Sequence, residues 1–452
     1  MGMRYAVRLD SNSTGRFTIH PSHAIELGIH GQEQVALRFG TKVEHVRLCT
    51  NDDVNPFDIW LSKDTCSFLR LPRFPAYELR WQEPELIIGP YMGILAATTH
   101  RQLYQRVRKL HSFVSKYKQI GGAVLVFSLE GVNRQHQTIR GFLYHPYQKR
   151  WVEGVYGYPS AMFSILEASM TKDWEKFTEI VNHLHQELGD RLFNFPVFDK
   201  WEMHSWLSKY PQIAKHLPMT ILYQHPQQIY DALLRYNRVY IKPILGRLGM
   251  GVLKAEWENG GVRVKLRNRQ RNRKFFLRNY EEFVTFFRDR LTVGQYIIQN
   301  AVRLTVRDGR IIDFRLILVK DQAGEWQNAG LFGRYGAKQS IVSNITAGGF
   351  AENGVKTLRK TLRLSNDEAN DCLQSMTDLA IDAAKAMEDY GIHCGNLGLD
   401  LALDRSDKLW ILEINNQNPD HYIALLAGDK ATYHQARLYN MQYCKRLAGF
   451  PL

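Results

Sequence analysis

The 452-residue sequence contains no run of about 18 apolar residues, the length needed to cross a membrane as a helix. Its start, Met-Gly-Met-Arg-Tyr-Ala, lacks the apolar stretch of a signal peptide, and Ala6 stands where a myristoylation signal wants Ser or Thr. A membrane partner is therefore not expected. Cysteine is scarce and scattered. Cys49, Cys66, Cys372, Cys394 and Cys444 are odd in number and never in C-x-x-C spacing, which argues against a disulfide framework or a zinc site. Reduced thiols in a cytoplasmic protein are the expectation. The 16 histidines form no H-E-x-x-H pattern. There is no internal repeat, no low-complexity linker and no recognisable Ser, Cys or His nucleophile set.

What is present is ordinary globular composition, 44% hydrophobic and 23% charged, in a chain long enough for about three domains. The formal charge of +14 fits either a polyanionic partner or an inert basic surface. The densest basic stretch is Arg263 to Arg278, in VRVKLRNRQRNRKFFLR. Its first half alternates Val262, Val264 and Leu266 with Arg263, Lys265 and Arg267, as a strand with one solvated face does. Such a strand could line an entrance for an anionic substrate. Apart from Phe275 and Phe276 the run lacks interleaved aromatics, which argues against nucleic acid.

Three regions are expected. Residues 1–85 hold short alternating runs broken by Gly15, Gly31, Gly40 and Asn51-Asp52-Asp53, the pattern of a small β-barrel-like domain. Residues 86–195 alternate apolar strands with helices (helical patterns at 99–118 and 172–188, a buried strand at 121–129, a hairpin at 141–154), which predicts an α/β unit with a mainly parallel sheet. The Gly-Pro-Tyr-Met-Gly turn at 89–93 reads as a plain turn or as a ligand contact. Residues 196–452 carry the chemistry. Pro226 opens a helix with Ile229, Leu233 and Tyr236 on one face. Met376, Leu379, Ala380, Ala383 and Met387 form a core stripe, and strands 397–403 and 409–415 flank a hairpin loop.

Three constellations stand out in that last region. In IKPILGRLGMGV, Lys242 ends a strand and precedes Gly246, Gly249 and Gly251, so an ammonium and close-approaching backbone N–H groups could cover phosphates. The spacing matches neither a Walker loop nor a Rossmann turn, and a glycine-rich hairpin is the plainer alternative. In LGLDLALDRSDKLWILEINN, Asp400 and Glu413 sit on adjacent strands, with Asn415 on the face of Glu413. Two carboxylates and an amide oxygen suit Mg²⁺; salt bridges to nearby Arg or Lys are the alternative. In IIQNAVRLTVRDGRIIDFRLILVK a turn at Asp308-Gly309 leads to a strand with Asp313 and Arg315 on one face. Arg334 and Asn344 follow. Arginines with fixed, multiple donors stabilise a transferring phosphoryl group.

The order of these motifs is specific. With I-K-P at 241–243, I-I-Q-N at 297–300, D-F-R at 313–315, S-N-I-T-A-G-G at 343–349 and E-I-N-N at 413–416, residues 196–450 resemble the ATP-grasp superfamily. With G-P-Y-M-G-I at 89–94, F-D-K-W-E-M at 198–203 and L-P-M-T at 217–220, the whole chain is similar to the YheC/YheD family of spore-coat-associated ATP-grasp proteins. The resemblance implies an α/β (α+β) protein, an ATP-grasp fold preceded by a small β domain and a Rossmann-like pre-ATP-grasp domain. It implies ATP and Mg²⁺ as cofactors. Lys200 and Lys242 would hold nucleotide phosphates under a flap at Gly246–Gly251, and Gln299, Asn300 and Val302 would form the adenine hinge through backbone groups. Arg315 and Arg334 would bind the γ-phosphate, with Asp313 beside them as a third catalytic candidate; Asp400, Glu413 and Asn415 would bind the metal. Two departures stand out: Asn300 replaces a frequent Glu, and Gly398 stands where D-alanine–D-alanine ligase-like enzymes carry a substrate arginine. The second leaves the substrate open. The implied activity is an ATP-dependent carboxylate–amine ligase acting through an acyl phosphate, on an amino acid, a peptide or an acidic polymer. The alternative is a catalytically inert ATP-binding structural protein of the spore coat, with coat proteins as partners.

Overall fold

The structure, a computed structural model, describes residues 2–166, 174–246, 250–267, 272–338, 340, 343, 345, 348–416 and 421–451. The chain forms two compact units. The first comprises Met1–Phe195, Lys320–Gln327 and His434–Leu452; the second comprises Pro196–Val319 and Asn328–Tyr433. No described helix is long and apolar enough to cross a membrane.

The first unit contains two sheets. A seven-stranded mixed sheet has the order Ala6–Asp10, Asp58–Ser62, Arg16–Ile19, Lys42–Thr50, Gln34–Phe39, Glu85–Gly89, Glu78–Gln82. It therefore takes in the strand just beyond residue 85. Two short helices, Pro21–Glu26 and Lys63–Phe68, interrupt what the sequence presented as strands only. Their start signals, a proline at the first helical position and a serine N-cap, were legible but brief. The second sheet has Tyr91–Ala97 parallel to both Ala123–Asn133 and Ala161–Ser164, with the expected hairpin at Thr138–His145 and Arg150–Gly157. The helical stretch at 99–118 is broken into His100–Arg106, a 3-10 segment Val107–Val114 and a last turn, Tyr117–Ile120. Gly121 and Gly122, both at positive φ, end it.

The expected segments 1–85 and 86–195 thus share one unit, and the C-terminal helix, assigned by sequence to the last domain, contributes to it. Leu438, Met441, Cys444 and Phe450 lie in one buried cluster with Met92, Ile94 and Phe163, so apolar burial places the helix there. The Gly89–Gly93 turn is explained by close packing. A Cβ at Gly89 would stand 2.3 Å from Phe450 and one at Gly93 would stand 2.6 Å from Pro159.

In the second unit, labels follow chain order. An antiparallel sheet contains β1 (Thr220–Leu222), β2 (Arg238–Pro243), β3 (Leu253–Glu258), β4 (Gly261–Arg267), β5 (Asn272–Leu277) and β6 (Tyr296–Asn300), in the order β1-β6-β2-β3-β4-β5. Two helices, Pro226–Tyr236 and Tyr280–Arg288, place Ile229, Leu233, Phe283 and Phe287 against Val239, Ile241, Ala255, Val264 and Ile298. The Pro226 helix ends at Asn237, whose left-handed φ of 63° directs its N–H to the Leu233 carbonyl at 2.8 Å. The expected alternation in β4 is present: Val262 and Val264 are buried, and Arg263 and Lys265 are on the other side.

A second sheet runs β9-β8-β7-β10-β11, from β7 (Arg310–Lys320), β8 (Trp326–Tyr335), β9 (Phe350–Asn353), β10 (Asn396–Leu403) and β11 (Leu409–Asn415). The short strand Val306–Arg307 pairs with β7 across the expected Asp308-Gly309 turn, where both residues have positive φ as the tight hairpin requires. Between β9 and β10 in sequence, the long helix Asn366–Glu388 begins with a capping box at Ser365 and Glu368. It buries Met376, Leu379, Ala380, Ala383 and Met387, the stripe its sequence marked.

Candidate active site

Six elements of the second unit supply the charged cluster. Asp199 caps the helix Lys200–Leu207, accepting from the N–H groups of Trp201 and Glu202 at 2.7 and 2.9 Å, while Glu202 accepts the Asp199 N–H at 2.9 Å. This capping box fixes Lys200 in the helix's first turn, where the dipole favours anions. The Lys200 ammonium donates to the Gly246 carbonyl at 3.0 Å and lies 3.4 Å from a Glu413 oxygen.

Lys242 is the penultimate residue of β2. Its ammonium donates to Gln299 Oε1 at 2.6 Å. Gln299 Nε2 in turn donates to Thr220 Oγ1 at 3.0 Å, and the Thr220 hydroxyl donates to the Pro218 carbonyl at 2.9 Å. Because an ammonium only donates, this relay across β2, β6 and β1 dictates which way the amide faces. Burial pushes the Lys242 pKa down to about 8. Lys200 acts in the same direction, against Glu413, Asp400 and Asp313.

On the other sheet, the register sets Arg315 opposite Asp400 and Asp400 opposite Glu413, with Asn415 opposite Gly398. A bulge follows the Asp400–Glu413 pair and re-aims the strand after it. Arg315 Nε donates to Asp400 Oδ1 at 2.6 Å. Arg334 donates to both oxygens of Asp313, at 2.7 and 2.6 Å, and reaches Asp400 Oδ2 at 2.9 Å. The Ser343 hydroxyl also donates to Asp313. Burial opposes the Arg334 charge, but Asp313 and Asp400 outweigh it and hold its pKa above the ordinary arginine value. Burial likewise opposes the Asp400 charge, yet the guanidinium groups of Arg315 and Arg334 keep its carboxyl below the usual range.

The structure therefore brings Lys200, Lys242, Asp313, Arg315, Arg334, Asp400 and Glu413 into one connected set. Asp313 meets Arg334 and Ser343 rather than standing free. Gly246 contributes its carbonyl. Gly251 has φ +73° and a would-be Cβ 3.2 Å from Pro243, so only glycine suits that position. Gly249 and Asn344 lie outside the described residues.

In the expected hinge, the N–H groups of Asn300 and Ala301 already bond to Met219 and Arg238 at 3.1 Å. Among the described residues no backbone partner is recorded for the Val302 N–H, while the Val302 carbonyl accepts from Leu304 at 2.9 Å. Sequence reasoning gave Gln299 only a backbone role and missed Thr220; the available signal was a lone glutamine within the apolar strand Tyr296–Asn300. It also missed Asn416, buried and donating to the Pro196 carbonyl at 2.9 Å.

Asp400, Glu413 and Asn415 offer oxygen donors of the kind Mg²⁺ takes when phosphates complete its shell. Among the described residues no cluster of three His, Cys, Asp or Glu side chains could hold a metal unaided. Mg²⁺ commonly uses one or two carboxylates together with substrate phosphates, and Asp400 and Glu413, opposite one another on adjacent strands, are two such carboxylates. Both carboxylates engage cations in this structure, so the salt-bridge arrangement weighed from sequence is present as well.

A family model described as "YheC/D like ATP-grasp" matches residues 189–447. The chain is 26% identical over 390 residues to the endospore coat-associated protein YheD of Bacillus subtilis, covering 84% of this chain and 83% of that protein. It is 23% identical over 282 residues to the endospore coat-associated protein YheC of the same organism, covering 62% and 76%. Among solved structures, N5-carboxyaminoimidazole ribonucleotide synthetase from Thermotoga maritima aligns with a TM-score of 0.43 and 13% identity, over 78% of this chain and 75% of that one. The D-alanine-D-alanine ligase from Coxiella burnetii aligns with a TM-score of 0.42 and 12% identity, over 79% and 96%.

Proposed function

The chain belongs to the YheC/D-like ATP-grasp family, and from that premise we propose that it is an ATP- and Mg²⁺-dependent carboxylate–amine ligase acting through an acyl phosphate. The observation that carries this reading is the convergence of Lys200, Lys242, Arg315 and Arg334 with Asp400 and Glu413. Four cations beside two oxygen-rich metal candidates are what a polyphosphate and a phosphoryl transfer require. The ATP-grasp domain is proposed to begin near residue 196.

Each residue has a role in this reading. Lys200 and Lys242 hold phosphate oxygens, the first from a helix N-terminus and the second from a strand end. Gly246 and Gly251 let the loop after β2 approach the nucleotide, and Val302 presents its backbone N–H to the adenine. Arg315 and Arg334 stabilise charge on the γ-phosphoryl group as a substrate carboxylate oxygen bonds to phosphorus and the bond to ADP breaks. An amine then attacks the acyl carbon and phosphate leaves, forming the amide. Asp313 positions Arg334 by a two-pronged contact. Asp400, Glu413 and Asn415 would hold Mg²⁺, whose contribution is to neutralise phosphate charge.

The test is ATP turnover by the purified protein with Mg²⁺ and pooled amino acids and peptides, against Glu413→Gln. Substrate-stimulated ADP and phosphate release, lost in the variant, supports the ligase. AMP release would overturn the acyl-phosphate route, and undiminished turnover in Glu413→Gln would overturn the metal assignment. The curated relatives' description as coat-associated favours a second reading, an ATP-binding structural protein of the spore coat. It takes over if ATP binds and no condition gives turnover.

A further inference from the structure

Along β2, Arg238, Tyr240 and Lys242 project from one side of the sheet, while Val239 and Ile241 enter the core. The strand register carries that side outward. Tyr240 lies opposite Lys254, Lys254 opposite Lys265, and Lys265 opposite Lys274. Three lysines thus stand in one cross-strand row over β3, β4 and β5, at about 4.8 Å per strand.

The next row is charge-matched by comparison. It reads Arg238, Glu256, Arg263, Phe276; Arg238 pairs with Glu256 and Arg263 with Glu258. In the lysine row, Lys254 shares Glu256 at 3.2 Å. Among the described residues no salt bridge is recorded to Lys265 or Lys274. Like charges directly opposite one another destabilise a sheet, so folding alone does not account for lysine at three successive register positions. Lys274 is exposed, which leaves the outer end of the row open to solvent.

We propose that the row Lys254, Lys265, Lys274 is a docking track for an extended, carboxylate-bearing polypeptide, which it leads along the sheet face toward Lys242. The direction of travel rests on the proposed ligase reading; the track itself rests on the register and the charges. A peptide fits better than a nucleic acid. The row's one aromatic, Tyr240, already faces the Lys242 ammonium at 5.8 Å, so no succession of stacking platforms is available. Lysines rather than arginines fill it, and it is the arginine fork that matches phosphate in two-pronged fashion. An acidic peptide satisfies the lysines along its length and offers the carboxylate that the proposed reaction consumes.

The test uses the full chain and a fluorescent oligoglutamate peptide, with anisotropy followed from about 50 to about 300 mM salt. The double variant Lys265→Gln/Lys274→Gln should bind roughly fivefold more weakly and with a shallower salt dependence, as the loss of two charge contacts, one half-buried and one exposed, implies. Its melting temperature should not fall, because an opposed like-charge pair has been relieved. Equal binding by the two proteins overturns the track, as does an oligothymidylate of matched charge binding as tightly as the peptide. Calorimetry with MgATP on the same samples separates the two readings. Peptide loss with MgATP affinity retained supports the track. MgATP failing to bind the unaltered protein, with the peptide result intact, overturns the nucleotide site and leaves the track.

Discussion

Raising the pH from 7 to 9 should weaken MgATP binding through one residue. Burial lowers the Lys242 pKa to about 8, so the free protein carries this charge almost fully at pH 7 and in only about a tenth of molecules at pH 9. If the phosphates require the ammonium, the apparent Kd rises about tenfold between those values, on the order of 1.4 kcal/mol. The nucleotide's own terminal ionisation, near about pH 6 for a phosphate monoester, is complete over this window and contributes little. Isothermal calorimetry in buffers of matched ionic strength measures the effect. Lys242→Arg is the control, since guanidinium stays charged and its profile should be flat. The sign for stability is opposite. The unfolded chain keeps this proton up to about pH 10.4 while the folded chain releases it near 8, so the Lys242 contribution to stability rises with pH across that interval. Affinity for MgATP that stays constant from pH 7 to 9 in the unaltered protein would refute the role given to Lys242.

Gln299→Glu places a carboxylate where the amide oxygen now lies 2.6 Å from Lys242; the midpoint of the pH profile should move up, and affinity at pH 7 should fall because the ammonium is already neutralised. Asp313→Asn leaves Arg334 buried with one carboxylate fewer, and denaturant melts should report a loss of about 3–5 kcal/mol. Asp199→Ala removes the cap that holds Lys200 at its helix start. It should cost about 1 kcal/mol in stability and weaken MgATP binding, whereas Asp199→Ser should restore most of both.

The sequence was most legible where the chemistry is strand-borne. The two-residue period placed Asp400 and Glu413 on neighbouring strands and Asp313 and Arg315 on one face, and both placements hold because a buried face tolerates no slip in register. Hydrophobic spacing found the Pro226 helix and the Asn366 helix for the same reason: one face of each had to be covered. Contacts that depend on three-dimensional neighbours were not legible. Thr220 and Gln299 are 79 residues apart and meet only because β1 and β6 pair. The bulge beside Asp400 adds a single residue to an otherwise regular strand, and the local sequence Leu-Glu-Ile does not announce it. The return of residues 434–452 to the first unit is another such case, since an apolar helix face says that it will be buried but not where.

The charge balance of the site ties these observations together. Lys200, Lys242, Arg315 and Arg334 contribute four positive charges, and Asp313, Asp400 and Glu413 three negative ones, leaving one positive charge in excess. Buried charges at this density persist only when paired, and here every carboxylate has a cation within 3.4 Å. Arg334 serves two carboxylates at once, so it cannot turn fully to a phosphate without releasing Asp400. Asp400 is also a metal candidate, and releasing it is useful only if a cation arrives with the phosphate. The arrangement therefore favours the nucleotide and magnesium together over either alone. Calorimetry should show MgATP binding at least tenfold more tightly than ATP in chelator, a ratio of about 1.4 kcal/mol. In Asp400→Asn, Arg334 keeps Asp313 but no longer holds the carboxylate that is also a metal candidate, so that ratio should collapse toward one; a ratio unchanged in the variant would show that Asp400 has no part in the coupling.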